Sequence, residues 1–316
     1  MSNPTRELAP YLSPERREAR LEELAANSQA ELVIYGNSVE GRPLRAARLA
    51  GPDTDCPRLL CTANIHGPEY ISSTLALALL QELGRPDSLW ARLRQRAELW
   101  VIPCLNPDAY DRTWARSGRG RLATLRPNAR GVDLNRNFPL PCGGQGSRLP
   151  WAGARRKGSP TYRGPAALSE PECSSLDSLL RRVGFLASAN LHSAMGSVIP
   201  ARVKDRETFG VYKDLCRRFR EAQPRNRYFR LASRLLDVNT GELEDHQHHT
   251  LDCWAVCVET MTIATCFLQQ LSAPTLFWRF NPRDPGRWIG NDLPGLAAYY
   301  EAALDLGHGP RDLPRC

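Results

Sequence analysis

The sequence has no apolar run long enough to cross a membrane. Its first residues, Met-Ser-Asn-Pro-Thr-Arg-Glu, lack the basic start, apolar stretch and small-residue cleavage site of a secretory leader. Those absences predict a protein without a membrane partner and with a cytoplasmic location. Internal repeats and low-complexity segments are also missing, which excludes repeat architectures and disordered tracts. The ten cysteines are scattered, and Cys61, Cys104, Cys257 and Cys266 sit inside apolar runs where a thiol packs as a small hydrophobe. Reduced thiols are therefore expected, with no disulfide framework. Cys253 and Cys257 share one strand face but have no second cysteine pair near them, so they read as core packing rather than as metal ligands. No recognisable nucleic-acid module is present either. The net charge of +8 comes mainly from arginine, concentrated in Arg155-Arg156-Lys157 and between Arg217 and Arg234, and only Tyr228-Phe229 interleaves stacking aromatics with those charges. The basic stretches read as solvated faces with some attraction for anionic peptides, and no nucleic-acid partner is predicted.

What is present is an ordinary globular composition, 42% hydrophobic and 24% charged over 316 residues, with enough apolar material for a sizeable core. Residues 1–316 read as a single catalytic domain, in which 1–28 form an N-terminal helical cover. Ser13-Pro14-Glu15 is a helix start, with a capping hydroxyl and a proline suited to the first turn, and Leu21 and Leu24 follow at helical spacing. Strands are predicted over 31–35, 44–49, 58–65, 99–105, 185–191 and 254–258, with helices from after Ile65 to Leu80 and over 165–182. Residues 112–163, dense in glycine, proline and arginine, read as long irregular segments. Strands alternating with helices predict an α/β fold with a mixed, mostly parallel central sheet flanked by helices on both faces.

Chemistry-bearing residues collect where these strands end. His66-Gly67-Pro68-Glu69 follows a strand apolar enough to be central, which places both side chains at the carboxyl edge of the sheet, where ligand crevices form. A second polar stretch runs Arg126-Pro127-Asn128-Ala129-Arg130-Gly131-Val132-Asp133-Leu134-Asn135-Arg136-Asn137-Phe138-Pro139. Ala189-Asn190-Leu191-His192-Ser193 closes an apolar strand with a histidine, and Val256-Cys257-Val258-Glu259 closes another with a glutamate.

In the order and type of these motifs the chain resembles the M14 zinc carboxypeptidases. The run Gly-Val-Asp-Leu-Asn-Arg-Asn-Phe is highly specific for that family. The segment Ser159-Pro160-Thr161-Tyr162-Arg163-Gly164 to Leu168-Ser169-Glu170-Pro171-Glu172 follows as the family pattern expects, and the matches extend from Tyr35 to Glu259. The resemblance implies a zinc carboxypeptidase-like fold and one Zn2+ per chain, held by His66, Glu69 and His192 with a fourth position open. It implies hydrolysis of a peptide or peptide-like amide beside a free C-terminal carboxylate, by a zinc-activated water with Glu259 as general base. Arg126 matches the arginine that stabilises the developing oxyanion, and Asn135 with Arg136 matches the pair that grips the terminal carboxylate of the substrate.

The pocket residue of the family lies about 15 positions before the catalytic glutamate, which places Glu244 there and predicts a cationic leaving residue; a slip of one would put Leu243 in its place. Where the family carries a mobile tyrosine, about 22 positions before the glutamate, this chain has Asp237. His246-Gln247-His248-His249 offers His246 or His248 as a local substitute, or, with His249, a second metal site. Three further readings compete: a murein peptide amidase cutting between D-glutamate and diaminopimelate, a small-molecule deacylase of the aspartoacylase type, and a catalytically silent binding protein that keeps the fold.

Overall fold

A computed structural model of the chain describes residues 3–141, 152–230 and 241–310. An eight-stranded sheet runs through them in the order β1-β2-β4-β3-β5-β8-β6-β7. The strands are β1 (Glu31–Asn37), β2 (Pro43–Leu49), β3 (Arg58–Ala63), β4 (Glu98–Ile102), β5 (Ala187–Ser193), β6 (Ser197–Pro200), β7 (Phe229–Arg230) and β8 (Trp254–Thr260). The central strands β4, β3, β5 and β8 are parallel, while β2 and β1 on one side run antiparallel to their neighbours, and on the other side β6 runs antiparallel to β8 and parallel to β7. The predicted mixed, mostly parallel sheet is therefore found.

Alternation along each strand divides the core in two. Leu59, Cys61 and Ala63 of β3, Leu99 and Val101 of β4, and Ala187, Ala189 and Leu191 of β5 join one apolar cluster. Against this face pack α1 (Pro14–Ser28), α2 (Tyr70–Leu83) and two helices for which the sequence reading assigned no element, taken up below. A further helix, α3 (Pro107–Ala115), for which no element was expected, starts ahead of the stretch 112–163 read as irregular and ends just inside it; Asn106 caps it and Pro107 occupies its first turn. The opposite sheet face, carrying Leu60, Trp100 and Ile102, is covered by α4 (Pro171–Val183). The two unassigned helices of the first face are α5 (Arg206–Ala222) and, after α6 (Leu243–Leu251) and α7 (Ile263–Ser272), the long α8 (Pro285–Leu306). Of these, α6 joins α4 on the second face, through Leu243 and Leu251. The N-terminal helix begins as its sequence predicts, with Ser13 accepting from the Arg16 N–H and Leu21 and Leu24 buried against the sheet.

On the α4 and α6 face, β5 shows not aliphatic residues but Ser188, Asn190 and His192, all buried. Their polar groups are satisfied by a ladder across the sheet and into α6. The Thr62 hydroxyl donates to Asn190 Oδ1 at 2.9 Å, the Asn190 amide donates to Gln247 Oε1 at 2.8 Å, and the Gln247 amide donates to Ser188 Oγ at 2.9 Å. Buried polar groups persist only when paired in this way.

The eight described cysteines are free and buried. Cys253 packs in the second apolar cluster as expected, but Cys257, further along the same face, lines the pocket described below instead of the core. The strand face runs from core to crevice, and four residues of rise carry the second thiol past the boundary.

Gln247→Leu removes the partner of the Asn190 amide while keeping the volume nearly constant. It should lower the unfolding free energy by about 1–3 kcal/mol, the cost of an unpaired buried polar group. Denaturant unfolding checks this, and an unchanged midpoint would show that the ladder contributes nothing.

Candidate metal centre

The strand β3 stops at Ala63 because Asn64 turns the chain with φ +53°, an angle asparagine tolerates. Its side-chain amide then donates to the carbonyls of His66 and Glu69, which folds the intervening turn tightly under the sheet edge. Gly67 is needed within it: an added Cβ would fall 2.2 Å from the Leu125 carbonyl oxygen, and the Gly67 N–H donates to the Arg126 carbonyl. The close approach brings the Arg126 segment against the His66 turn.

Glu69 lies between the two histidines. Its Oε1 is 2.8 Å from His66 Nδ1, and its Oε2 is 3.1 Å from His192 Nδ1 and accepts from the Ser193 N–H. Burial alone would raise its pKa, but His66 and His192 hold the carboxyl well below the usual range. Burial likewise pushes the His192 imidazole down. Behind His66, Asp133 Oδ1 sits 3.1 Å from Nε2, while Asp133 Oδ2 accepts from Arg126 Nε at 3.0 Å. Asp133 is fully buried, and against that burial Arg126 and then His66 keep it ionised. The sequence reading gave this aspartate no role, although a lone acid inside the Gly-Val-Asp-Leu run was the available signal.

The donor atoms of His66, Glu69 and His192 lie within 4.8 Å of one another. Two imidazole nitrogens and a carboxylate are donors zinc takes, three protein ligands leave a position for water, and a carboxylate on the far nitrogen of one histidine is the usual outer support of such a site. The set fits zinc. His192, Cys257 and Glu259 also converge, but burial pushes the Cys257 thiol up, away from the thiolate a metal requires.

Strand register delivers the remaining acid. In the β5–β8 pair His192 stands directly opposite Glu259. Burial first and the Glu69 carboxylate second push Glu259 up to about 8. Its Oε2 is buried without a hydrogen-bond partner among the described residues. Arg126 reaches the same space, its Nη1 being 3.9 Å from Glu69 Oε1.

One pocket of about 440 Å³ gathers His66, Glu69, His192, Glu259, Arg126 and the Asn135–Arg136 pair. Asn135 sits on a short 3₁₀ turn, Leu134–Arg136, capped by Asp133, and its side-chain Oδ1 accepts from the Leu243 N–H at 2.9 Å. Arg136 pairs with Glu242 at 3.3 Å. Glu244 also lines the pocket, 4% exposed, whereas Leu243 is buried in the core, so the structure puts the acid on the pocket wall and turns the leucine away from it.

The histidine cluster is placed elsewhere. His246 Nε2 meets Asp177 at 2.6 Å, His248 Nδ1 meets the Tyr212 hydroxyl at 2.9 Å, and His249 Nε2 meets the Arg202 carbonyl at 2.6 Å. Burial lowers all three imidazole pKa values, that of His248 to about 3. None of them lines the pocket or joins a metal-competent group among the described residues, so neither the local substitution nor the second metal site is supported. α6 directs these rings into contacts with α4, α5 and the 202 segment. Asp237 lies outside the described residues. Tyr228 is buried, its hydroxyl donating to Asp292, and no tyrosine is among the described lining residues.

The fold and the site together define an open α/β protein with a zinc-competent donor set at the carboxyl ends of parallel strands. The pattern describing zinc carboxypeptidases matches residues 18–270, and the chain belongs to that family. It is 33% identical over 226 residues to carboxypeptidase D of Homo sapiens, a match covering 60% of this chain and 15% of that protein. It is 30% identical over 179 residues to zinc carboxypeptidase A 1 of Anopheles gambiae, covering 55% and 40%. The chain thus spans well under half the length of these curated relatives. In fold it is similar to bovine thrombin-activatable fibrinolysis inhibitor, solved with a tick carboxypeptidase inhibitor, at a TM-score of 0.75 and 19% identity over 94% of this chain and 98% of that one. It is also similar to the murein-tripeptide amidase of Escherichia coli O157, at 0.53 and 22% over 91% and 97%.

The purified chain should bind one zinc, and His192→Ala should abolish stoichiometric binding. Asp133→Asn, which keeps every ligand, should weaken zinc by about 10–100-fold. Competition against a chromogenic chelator measures both; native affinity in Asp133→Asn would remove that residue from the account.

Proposed function

We infer that the chain is a metallocarboxypeptidase, hydrolysing a peptide or peptide-like amide next to a free C-terminal carboxylate. The observation carrying this reading is the single pocket in which the ligand triad, Glu259, Arg126 and the Asn135–Arg136 pair converge. When bound, zinc polarises the scissile carbonyl and lowers the pKa of water at the site. Glu259 takes the proton of the attacking water at its carboxylate and passes it to the leaving amine, the work of a residue beside the metal without being a ligand. Its Oε2, buried and without a hydrogen-bond partner among the described residues, supports that role, because its lone pairs are open to accept a proton. The Arg126 guanidinium, oriented by Asp133, stabilises the developing oxyanion. Arg136 and the Asn135 amide hold the terminal carboxylate; the Asn135 Oδ1 is already engaged by Leu243, which leaves its amide donors for an anion.

Glu244 would face the side chain of the leaving residue. A buried carboxylate on the pocket wall attracts a cation and disfavours an apolar group, which favours lysine, arginine or another amine-bearing residue. Cytoplasmic residence remains part of this reading, supported by the eight free buried thiols.

A mass-spectrometric screen of the zinc-loaded protein against peptides varied at the C-terminus should show loss of one residue from acids and little or none from the matching amides. Equal cleavage of acid and amide would point to an endopeptidase. Glu259→Gln should keep zinc while turnover falls about 10²–10⁴-fold, and a near-native rate would make Glu259 structural. For specificity, kcat/KM should favour C-terminal lysine over leucine, and Glu244→Gln should narrow the ratio by about tenfold or more. A leucine preference indifferent to Glu244→Gln would show that the acid does not face the substrate.

A further inference from the structure

The basic run Arg155-Arg156-Lys157 takes no part in the catalytic pocket, yet the fold gives it a place. Ala154 and Tyr162 form an isolated bridge, with the Arg163 N–H donating to the Ala154 carbonyl and the Ala154 N–H to that of Thr161. The turn closed this way sets Arg155 and Arg163 on the wall of a second cavity of about 550 Å³, together with Tyr162, Phe138 and Gly164. Arg136 belongs to this wall as well as to that of the catalytic pocket. No carboxylate is among the described residues of the second wall. Among the described residues, moreover, no ion pair or side-chain hydrogen bond engages the side chains of Arg155, Arg156, Lys157 or Arg163. Arginines gathered around a concavity whose described wall holds no carboxylate concentrate anions there, with Glu242 offsetting part of the Arg136 charge, and their planar forks suit oxyanions.

We propose that this cavity is a binding site for a small anion carrying two or more negative charges on phosphoryl or carboxylate oxygens, and that the site shares Arg136 with the catalytic pocket. Arg155 and Arg163 supply the charge specific to it, and Tyr162 contributes an adjacent edge. Because Arg136 lines both spaces, an anion in the second cavity draws on the charge that, on the carboxypeptidase reading, holds the terminal carboxylate of a substrate. Occupancy therefore antagonises substrate binding and leaves the chemical step alone. This coupling rests on the carboxypeptidase reading, whereas the site itself does not.

Calorimetric titration of the zinc-loaded full chain with inorganic phosphate, and separately with tricarballylate, at constant ionic strength tests the site. The same titrations on Arg155→Gln/Arg163→Gln supply the comparison, and zinc content and thermal midpoint confirm that the variant is folded. The native protein should bind at least one of the two anions with a Kd of about 1 mM or tighter, and the variant about tenfold more weakly. The stronger arm distinguishes a phosphoryl source from a polycarboxylate one. Absence of binding to the native protein, or equal affinity in the variant, overturns the site. For the coupling, the anion should raise KM for an acid-terminated peptide with kcat unchanged in the native protein, and should not do so in the variant. A native KM indifferent to the bound anion removes the link through Arg136, while the calorimetry stands whether or not any peptide is cleaved.

Discussion

The arrangement of the catalytic pocket depends on one buried carboxylate. Asp133 meets His66 through one oxygen and Arg126 through the other, and the first oxygen also accepts from the Asn135 N–H. An ion this deeply buried is tolerated only when its charge and lone pairs are met, and here the groups that meet them are His66, Arg126 and the turn bearing Asn135 and Arg136. Solvation of one side chain thus sets three parts of the site relative to one another. Any movement of the 133 segment would displace all of them together.

The sheet supplies the second constraint. Parallel strands β3, β5 and β8 end at one edge, so the side chains just beyond or at their last residues share a crevice without needing long loops to bring them together. The distance between His192 and Glu259 is a matter of ladder register, and a one-residue slip would turn the acid to the opposite face. The Asn64 turn and the close approach of Gly67 to Leu125 then fix the one part of the ligand set that lies outside a strand.

Legibility in the sequence followed the range of the interactions involved. His66, Glu69, His192 and Glu259 were readable because each ends an apolar strand or lies just past one, and because their order matched a family pattern; the two-faced parallel core was readable from the strand runs. Asp133 was quoted within a motif yet had no visible task, since its partners His66 and Arg126 are met only in the fold. The histidines of α6 invited a chemical role because their partners are remote: Asp177 is 69 positions from His246, and Tyr212 is 36 from His248. Much of the polar run from Asn128 to Asn137 likewise serves architecture. The Asn137 amide donates to the carbonyls of Arg163 and Ala166 and to Ser169, and the Asn128 amide donates to Glu170 and Glu172. The helices α5, α6, α7 and α8 were not assigned, nor was α3, although its Asn106 cap and Pro107 come before the irregular stretch.

The polar ladder from Thr62 through Asn190 and Gln247 to Ser188 has a consequence for how this enzyme can change. It ties α6 to the same strands that carry the metal ligands, and the first turn of α6 presents Glu244 to the pocket just after Glu242. The helix cannot slide or rotate by a residue without orphaning several buried amides at once. The pocket wall is therefore a fixed rack with an exchangeable tooth: what the pocket accepts can change through the side chain at 244, while shifts of the backbone beneath it are closed off.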